Sequence, residues 1–161
     1  MTLVVDAGAV VDLLLGRPAA AGIGRVLEAD VDDLHAPGLL DLEVLSALRR
    51  LAAGGELTDQ RAREAVDDLA GLPILRHGHV ALLLRVWQLR ANVTPYDAAY
   101  VALAEGLGDD AGLLTLDRHL ARAVTDHTAV RTVLPDPSAA GQGRLALSGA
   151  LPAPSYTDGQ R

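Results

Sequence analysis

The chain has 161 residues, of which 50% are hydrophobic, and a formal net charge of −7, which suits one compact domain with a sizeable core. It contains no cysteine, so disulfides, thiolate nucleophiles and Cys-based zinc or iron–sulfur sites are excluded. All its basic residues are arginine, so Schiff bases, Walker-type phosphate binding and the lysine of phosphoacceptor receiver domains are excluded too.

In chain order, "TLVVD" (Thr2 to Asp6) reads as a short buried strand, and "AGAVVDLLLG" and "AAAGIGRVLEA" as helices. "DLHAP" (Asp33 to Pro37) is a second strand, followed by the helix "LLDLEVLSALRRLAAGG" that Gly54 and Gly55 end. Thr58 fits the N-cap of "TDQRAREAVDDLAGL", and "PILRHG" is a brief third strand. "VALLLRVWQLRA" and "PYDAAYVALAEGL" read as helices, "AGLLTLD" as a fourth strand, "RHLARAV" as a short helix and "AVRTVL" as a fifth strand.

This alternation predicts an α/β fold: an open, mostly parallel sheet flanked by helices on both faces. The predicted domain spans 1–135. Beyond it, 136–161 is rich in Pro, Gly, Ser and Ala and reads as a flexible tail whose charges cancel, Asp136 and Asp158 against Arg144 and Arg161. No apolar run nears the roughly 20 residues that cross a bilayer. The N-terminal stretch lacks a basic lead-in and a cleavage site, so a soluble, cytoplasmic protein is expected. With an aromatic content of only 2%, extensive base-stacking platforms are not expected.

An open parallel sheet places its functional loops at the carboxyl ends of its strands, near the point where strand order reverses. Four carboxylates fall at such positions. Asp6 closes the first strand, Glu43 borders the apolar face of the helix after the second, Asp97 opens a helix that is apolar nearly all round, and Asp117 follows the fourth strand, with Thr115 two residues before it. Each also has a plain structural reading. Asp6 and Asp117 fit helix N-caps, Glu43 a solvated helix edge, and Thr94-Pro95-Tyr96-Asp97 a capping box with proline at the first helical position. Four carboxylates on one sheet edge would repel one another and lose hydration, a conflict that a divalent cation resolves. Oxygen donors without Cys or suitably spaced His favour Mg²⁺, with Mn²⁺ as a substitute, over zinc.

The histidines point less clearly. "RHGH" (Arg76 to His79) reads as a turn with no nearby carboxylate partner, and His119 reads first as a surface helix residue, though close enough to Asp117 to touch a substrate.

The stretches "VVDAGAVVDLLLG", "LLDLEVLSALRRL", "TPYDAAYVALAEGLG" and "LLTLDRHLARA", in this order, resemble the PIN-domain ribonucleases, specifically the VapC toxins of bacterial VapBC toxin–antitoxin pairs. The resemblance covers roughly residues 1 to 135. It implies a PIN-like three-layer α/β/α fold and a metal-dependent endoribonuclease whose acidic quartet corresponds to Asp6, Glu43, Asp97 and Asp117, using Mg²⁺. It also implies a homodimer neutralised by a VapB-type antitoxin. One departure stands out: the family usually carries Ser or Thr two residues after the first Asp, where this chain has Gly8. Thr115 is a candidate supporting residue, and Arg17, Arg118 and Arg122 are candidate phosphate contacts at the cleft mouth. The rival reading is a catalytically weak PIN protein that binds RNA or an antitoxin without efficient cleavage.

Overall fold

A computed structural model describes residues 1–29 and 31–135; the tail expected at 136–161 lies outside the described residues. The elements run β1 (Thr2–Val5), α1 (Ala7–Leu15), α2 (Ala20–Glu28), β2 (Asp33–Pro37), α3 (Leu40–Ala53), α4 (Asp59–Gly71), β3 (Ile74–His77), a 3-10 turn (Val80–Leu82), α5 (Leu83–Gln88), α6 (Pro95–Leu107), β4 (Ala111–Leu114), α7 (Arg118–His127) and β5 (Arg131–Val133).

The strands form one sheet of order β3-β2-β1-β4-β5 in which every described pairing is parallel, so the mostly parallel sheet of the sequence reading is wholly so here. From β1 the chain moves outward to β2 and β3, then crosses back to β4 and β5. Strand order therefore reverses between β1 and β4. Because parallel crossovers are right-handed, the helices of the two halves lie on opposite faces of the sheet. Accordingly α1 packs with α2, α3 and α4, whereas α6 lies across β1, β2 and β4 and carries α5 on its outside.

Short apolar strands buried on both faces hold the centre. Leu3, Val4, Leu113 and Leu114 are all 0% exposed, and burying each such side chain contributes roughly 1.5–3 kcal/mol. The helix α6 owes its position to composition: Ala98 through Ala104 are all buried, and the small alanines let it lie close to the sheet. Thr94 caps it by accepting from the Asp97 amide, with Pro95 at the first turn. Thr58 caps α4 in the same way through the Arg61 amide. At the end of α1, Gly16 takes a left-handed φ of 62°, a conformation that other residues adopt only with strain.

Two stretches differ from their sequence reading. "VALLLRVWQLRA" is not one helix: a 3-10 turn leads into the six-residue α5, which stops at Gln88. Only the narrow stripe of Leu82, Val86 and Leu89 packs against the core, while Val80, Leu83, Leu84 and Trp87 are exposed, so little burial supports a longer helix. "RHGH" is only in part a turn, because Arg76 and His77 belong to β3, where His77 stands in register with Pro37 and its Nε2 lies 2.8 Å from Nδ1 of His35. Desolvation of His35, together with the neighbouring His77, pushes the His35 imidazole below its ordinary pKa. Arg76 pairs with Asp41 at 3.1 Å. Among the described residues no helix is long and apolar enough to cross a membrane.

Candidate functional site

The reversal of strand order between β1 and β4 is where an open α/β sheet presents its binding crevice. The Asp6 amide, one residue past β1, donates to the Leu114 carbonyl at 3.0 Å and so fixes the residue beside the end of β4. Although Asp6 occupies the N-cap position of α1, its side chain makes no capping hydrogen bond. The Ala7 and Gly8 amides lie near enough to favour its ionised form without hydrogen-bond geometry. The cap reading of Asp6 thus fails, and its carboxylate is held instead by Thr115.

Thr115 is fully buried, and its hydroxyl serves both neighbours: it donates to Asp6 Oδ2 at 2.8 Å and accepts from the Asp117 amide at 3.0 Å. Asp117 is a true cap, its Oδ1 accepting from the amides of His119 and Leu120 at 2.7 and 3.1 Å. Asp97 follows the capping-box expectation with one variation. The Thr94 hydroxyl both accepts from the Asp97 amide and donates to Asp97 Oδ2 at 2.7 Å. Glu43, in the first turn of α3, is half-buried and not a freely solvated edge. Its Oε2 accepts from the Tyr100 hydroxyl at 2.6 Å.

Tyr100 was not among the residues singled out from the sequence. It is 1% exposed and lies three residues after Asp97, on the same side of α6. That spacing was the available signal, but its partner lies 57 residues away and only the fold brings the two together.

These carboxyl groups sense one another. Burial pushes the Asp6 carboxyl above its ordinary pKa; the Asp97 charge adds to this while the Thr115 hydrogen bond opposes it. Glu43 is raised too, first by burial and further by the charges of Asp6 and Asp97, against the Tyr100 hydrogen bond. Burial and the bond to Glu43 raise the Tyr100 hydroxyl, which therefore stays protonated and donating. No basic side chain contributes to the shifts of Asp6 and Glu43, and no described arginine pairs with any of the four carboxylates.

The quartet is not a closed cage. Asp6, Glu43 and Asp97 are coupled by charge, whereas Asp117 joins them through Thr115. Among the described residues no three carboxylate or imidazole groups form a ready-made metal-ligating set. Asp97 and Asp117 both line an open cleft of about 520 Å³ between the α5–α6 connection and the start of α7. His119 lines it as well, as its closeness to Asp117 suggested. The arginine there is Arg90. Arg90 was not singled out from the sequence; of the expected cations, Arg118 stands between the lining residues Asp117 and His119, Arg122 is not a lining residue, and Arg17 is engaged with Glu56 at 3.6 Å.

The PIN domain family model matches residues 3–125, a span that holds all four carboxylates, Thr115 and Tyr100. The chain belongs to the PIN-domain family. Within it, the chain is similar to the VapC proteins. It is 48% identical over 122 residues to Ribonuclease VapC1 of Mycobacterium tuberculosis, covering 74% of this chain and 89% of that protein. It is 42% identical over 118 residues to VapC ribonuclease Mb0985 of Mycobacterium bovis, covering 73% and 87%. To Ribonuclease VapC12 of Mycobacterium tuberculosis it is 38% identical over 121 residues, covering 75% and 91%. This PIN domain thus carries its charge-coupled carboxylates at the switch point of its sheet, and a cleft opens from two of the four.

Proposed function

We propose that this PIN domain is the toxin of a type II toxin–antitoxin pair, a Mg²⁺-dependent endoribonuclease that hydrolyses RNA phosphodiester bonds. The observation that carries the reading is the placement of half-buried Asp6 and Glu43 at the switch point, within reach of the Asp97 charge and without any basic partner. The names of the VapC relatives support ribonuclease activity.

The donor set suits the metal. All the candidate ligands are carboxylate oxygens, which hard cations prefer, and a divalent charge offsets the burial, and the smaller like-charge repulsion, that raise Asp6 and Glu43. Their open spacing favours an ion that keeps several waters and takes only a few protein oxygens, as Mg²⁺ does, with Mn²⁺ able to replace it. Asp6, Asp97 and Asp117 would hold it, with Glu43 direct or through water. When bound, the ion supplies electrostatic stabilisation of the negative charge that develops on the phosphate.

The chain's own groups account for the rest. The Thr115 hydroxyl is buried and fully engaged, so water is the nucleophile. Tyr100 occupies Oε2 of Glu43, which leaves Oε1 open to accept the proton of the attacking water, and the raised pKa makes Glu43 the stronger base. As the new P–O bond forms, the bond to the leaving oxygen breaks and that oxygen takes up a proton.

One departure from the family supports a second reading. Gly8 lacks the hydroxyl expected there, which favours a protein that binds RNA or an antitoxin but cuts poorly. Against it, Asp6 already accepts a hydroxyl hydrogen bond from Thr115. Single-turnover incubation of purified protein with end-labelled RNA, in Mg²⁺, Mn²⁺ or EDTA, separates the two. The nuclease cuts with either cation and not with EDTA, while RNA retained uncut under all three conditions leaves only the binding reading.

The partners follow as part of the same proposal: an RNA substrate, a VapB-type antitoxin and a second copy of the chain, all in the cytoplasm. Exposed apolar side chains, among them Leu42 at 70% and Leu84 at 71%, offer surface for protein partners. Light scattering on the isolated chain would report a mass of two copies.

A further inference from the structure

The cleft beside the acidic edge has a feature that metal binding does not explain. Arg90 lines it, follows α5 and is exposed. Its guanidinium lies 4.7 Å from the centre of the Trp87 ring, and its Nη1 donates to the Trp87 carbonyl at 2.9 Å. These two contacts favour one orientation of the side chain, since a guanidinium over an indole is attracted to the ring's negative face. Nε and Nη2 have no partner among the described residues, and together they form the edge of an arginine that binds a phosphate bidentately. Arg85, Arg76 and Arg61, by contrast, are committed to carboxylates. Pro95, Leu120 and Ala123 give the cleft apolar lining, and Asn92 adds an amide with both donor and acceptor groups.

We propose that this cleft seats the nucleotide next to the scissile bond of a single-stranded RNA, with Arg90 contacting its phosphate and the apolar lining taking the face of its base. The inference rests on the ribonuclease reading. It places a phosphate contact in the same cleft as two of the carboxylates, because Asp97, Asp117 and Arg90 all line it. Trp87 is a positioning residue, acting through the arginine. A phosphate contact fixes the strand without reading sequence, so Arg90 governs affinity and not target choice.

The test uses the full chain and a fluorescein-labelled single-stranded RNA in Mg²⁺. Cleavage rate is measured at varied RNA concentration, and anisotropy is measured across a salt series in the uncleaving Asp6→Asn background. Arg90→Ala is expected to raise KM roughly tenfold with a much smaller change in kcat, and to lower the salt slope of binding by about 0.7, the share of one phosphate contact on a single strand. Arg90→Lys restores part of the affinity, because charge without the fork still attracts phosphate. Arg122→Ala, which removes an arginine outside the cleft, leaves both readouts unchanged. If the wild type cuts RNA while Arg90→Ala matches it in KM and salt slope, the cleft assignment is wrong and the nuclease reading survives. If the wild type neither binds nor cuts RNA, both fall.

Discussion

The hydroxyl of Thr115, buried one residue past β4, donates to Oδ2 of Asp6, one residue past β1, at 2.8 Å, and so ties together the two strand ends between which the sheet reverses its order. The same oxygen accepts the Asp117 amide, so one side chain sets the place of two of the four carboxylates. Thr115→Val keeps the shape and removes the hydroxyl. The expected outcome is a folded protein whose Mn²⁺ affinity and cleavage rate fall roughly 10–100-fold, the usual cost of losing a group that orients a metal ligand. Calorimetric titration beside a cleavage assay measures both, and unchanged values would reduce Thr115 to a core residue.

Tyr100→Phe removes the hydrogen bond to Glu43 while leaving the ring buried. The loss is expected to cost about 1.5 kcal/mol of stability in urea unfolding, the lower end for a hydrogen bond to a charged group, because Glu43 is only half-buried. The bond favours the ionised carboxylate, so without it the pKa of Glu43 climbs further and the pH at which cleavage reaches half its maximum moves upward. A pH–rate profile identical to that of the wild type would show that Glu43 is not the base.

The raised pKa of Asp6 makes a signed prediction for stability. Unfolded, this carboxyl ionises at its ordinary pKa; folded, burial and Asp97 hold its proton to higher pH. The proton's contribution to stability is complete below the ordinary carboxylate pKa and is lost as pH rises through the folded value. Without divalent metal, Asp6→Asn is therefore more stable than the wild type at neutral pH, and its advantage shrinks to nothing as pH falls below the carboxylate range. Adding Mg²⁺ narrows the gap by stabilising the wild type alone. Melting curves of the two proteins that run parallel at all pH values would remove the unpartnered buried charge on which the metal proposal rests.

Asp117 holds two roles that substitution separates. Asp117→Ala loses the cap of α7 and should cost about 1 kcal/mol in urea unfolding, whereas Asp117→Asn keeps an oxygen for the amides of His119 and Leu120. If Asp117 is also a ligand, both variants bind Mn²⁺ more weakly, and only the first is less stable. Normal metal binding by both would leave Asp117 a cap and nothing more.

Local signals carried much of this architecture. A strand ending in Asp6, the Thr94-Pro95 start of α6 and the order of strands and helices are written in neighbouring residues, where period and capping chemistry suffice. Long-range features were not legible in the same way. Glu43 and Tyr100 meet only because α3 and α6 converge at one end of the sheet. Arg90 enters the cleft only because α5 stops at Gln88, and its apolar residues gave a helical pattern whose exposure could not be foreseen. The strand reading of "PILRHG" already held His77, but its meeting with His35 depends on parallel register with β2, which no local signal reveals.

In the proposed function the acidic edge binds a divalent cation and cuts RNA, with Asp97 both a cap residue and a ligand. Asp97→Asn tests it most directly, because the amide that Thr94 caps is retained and the fold should persist. Calorimetric Mn²⁺ titration of wild type and variant, with RNA cleavage followed in the same buffers, should show binding and cutting by the wild type and neither by the folded variant. Equal binding and equal cleavage by the two would contradict the account and leave Asp97 a helix cap alone.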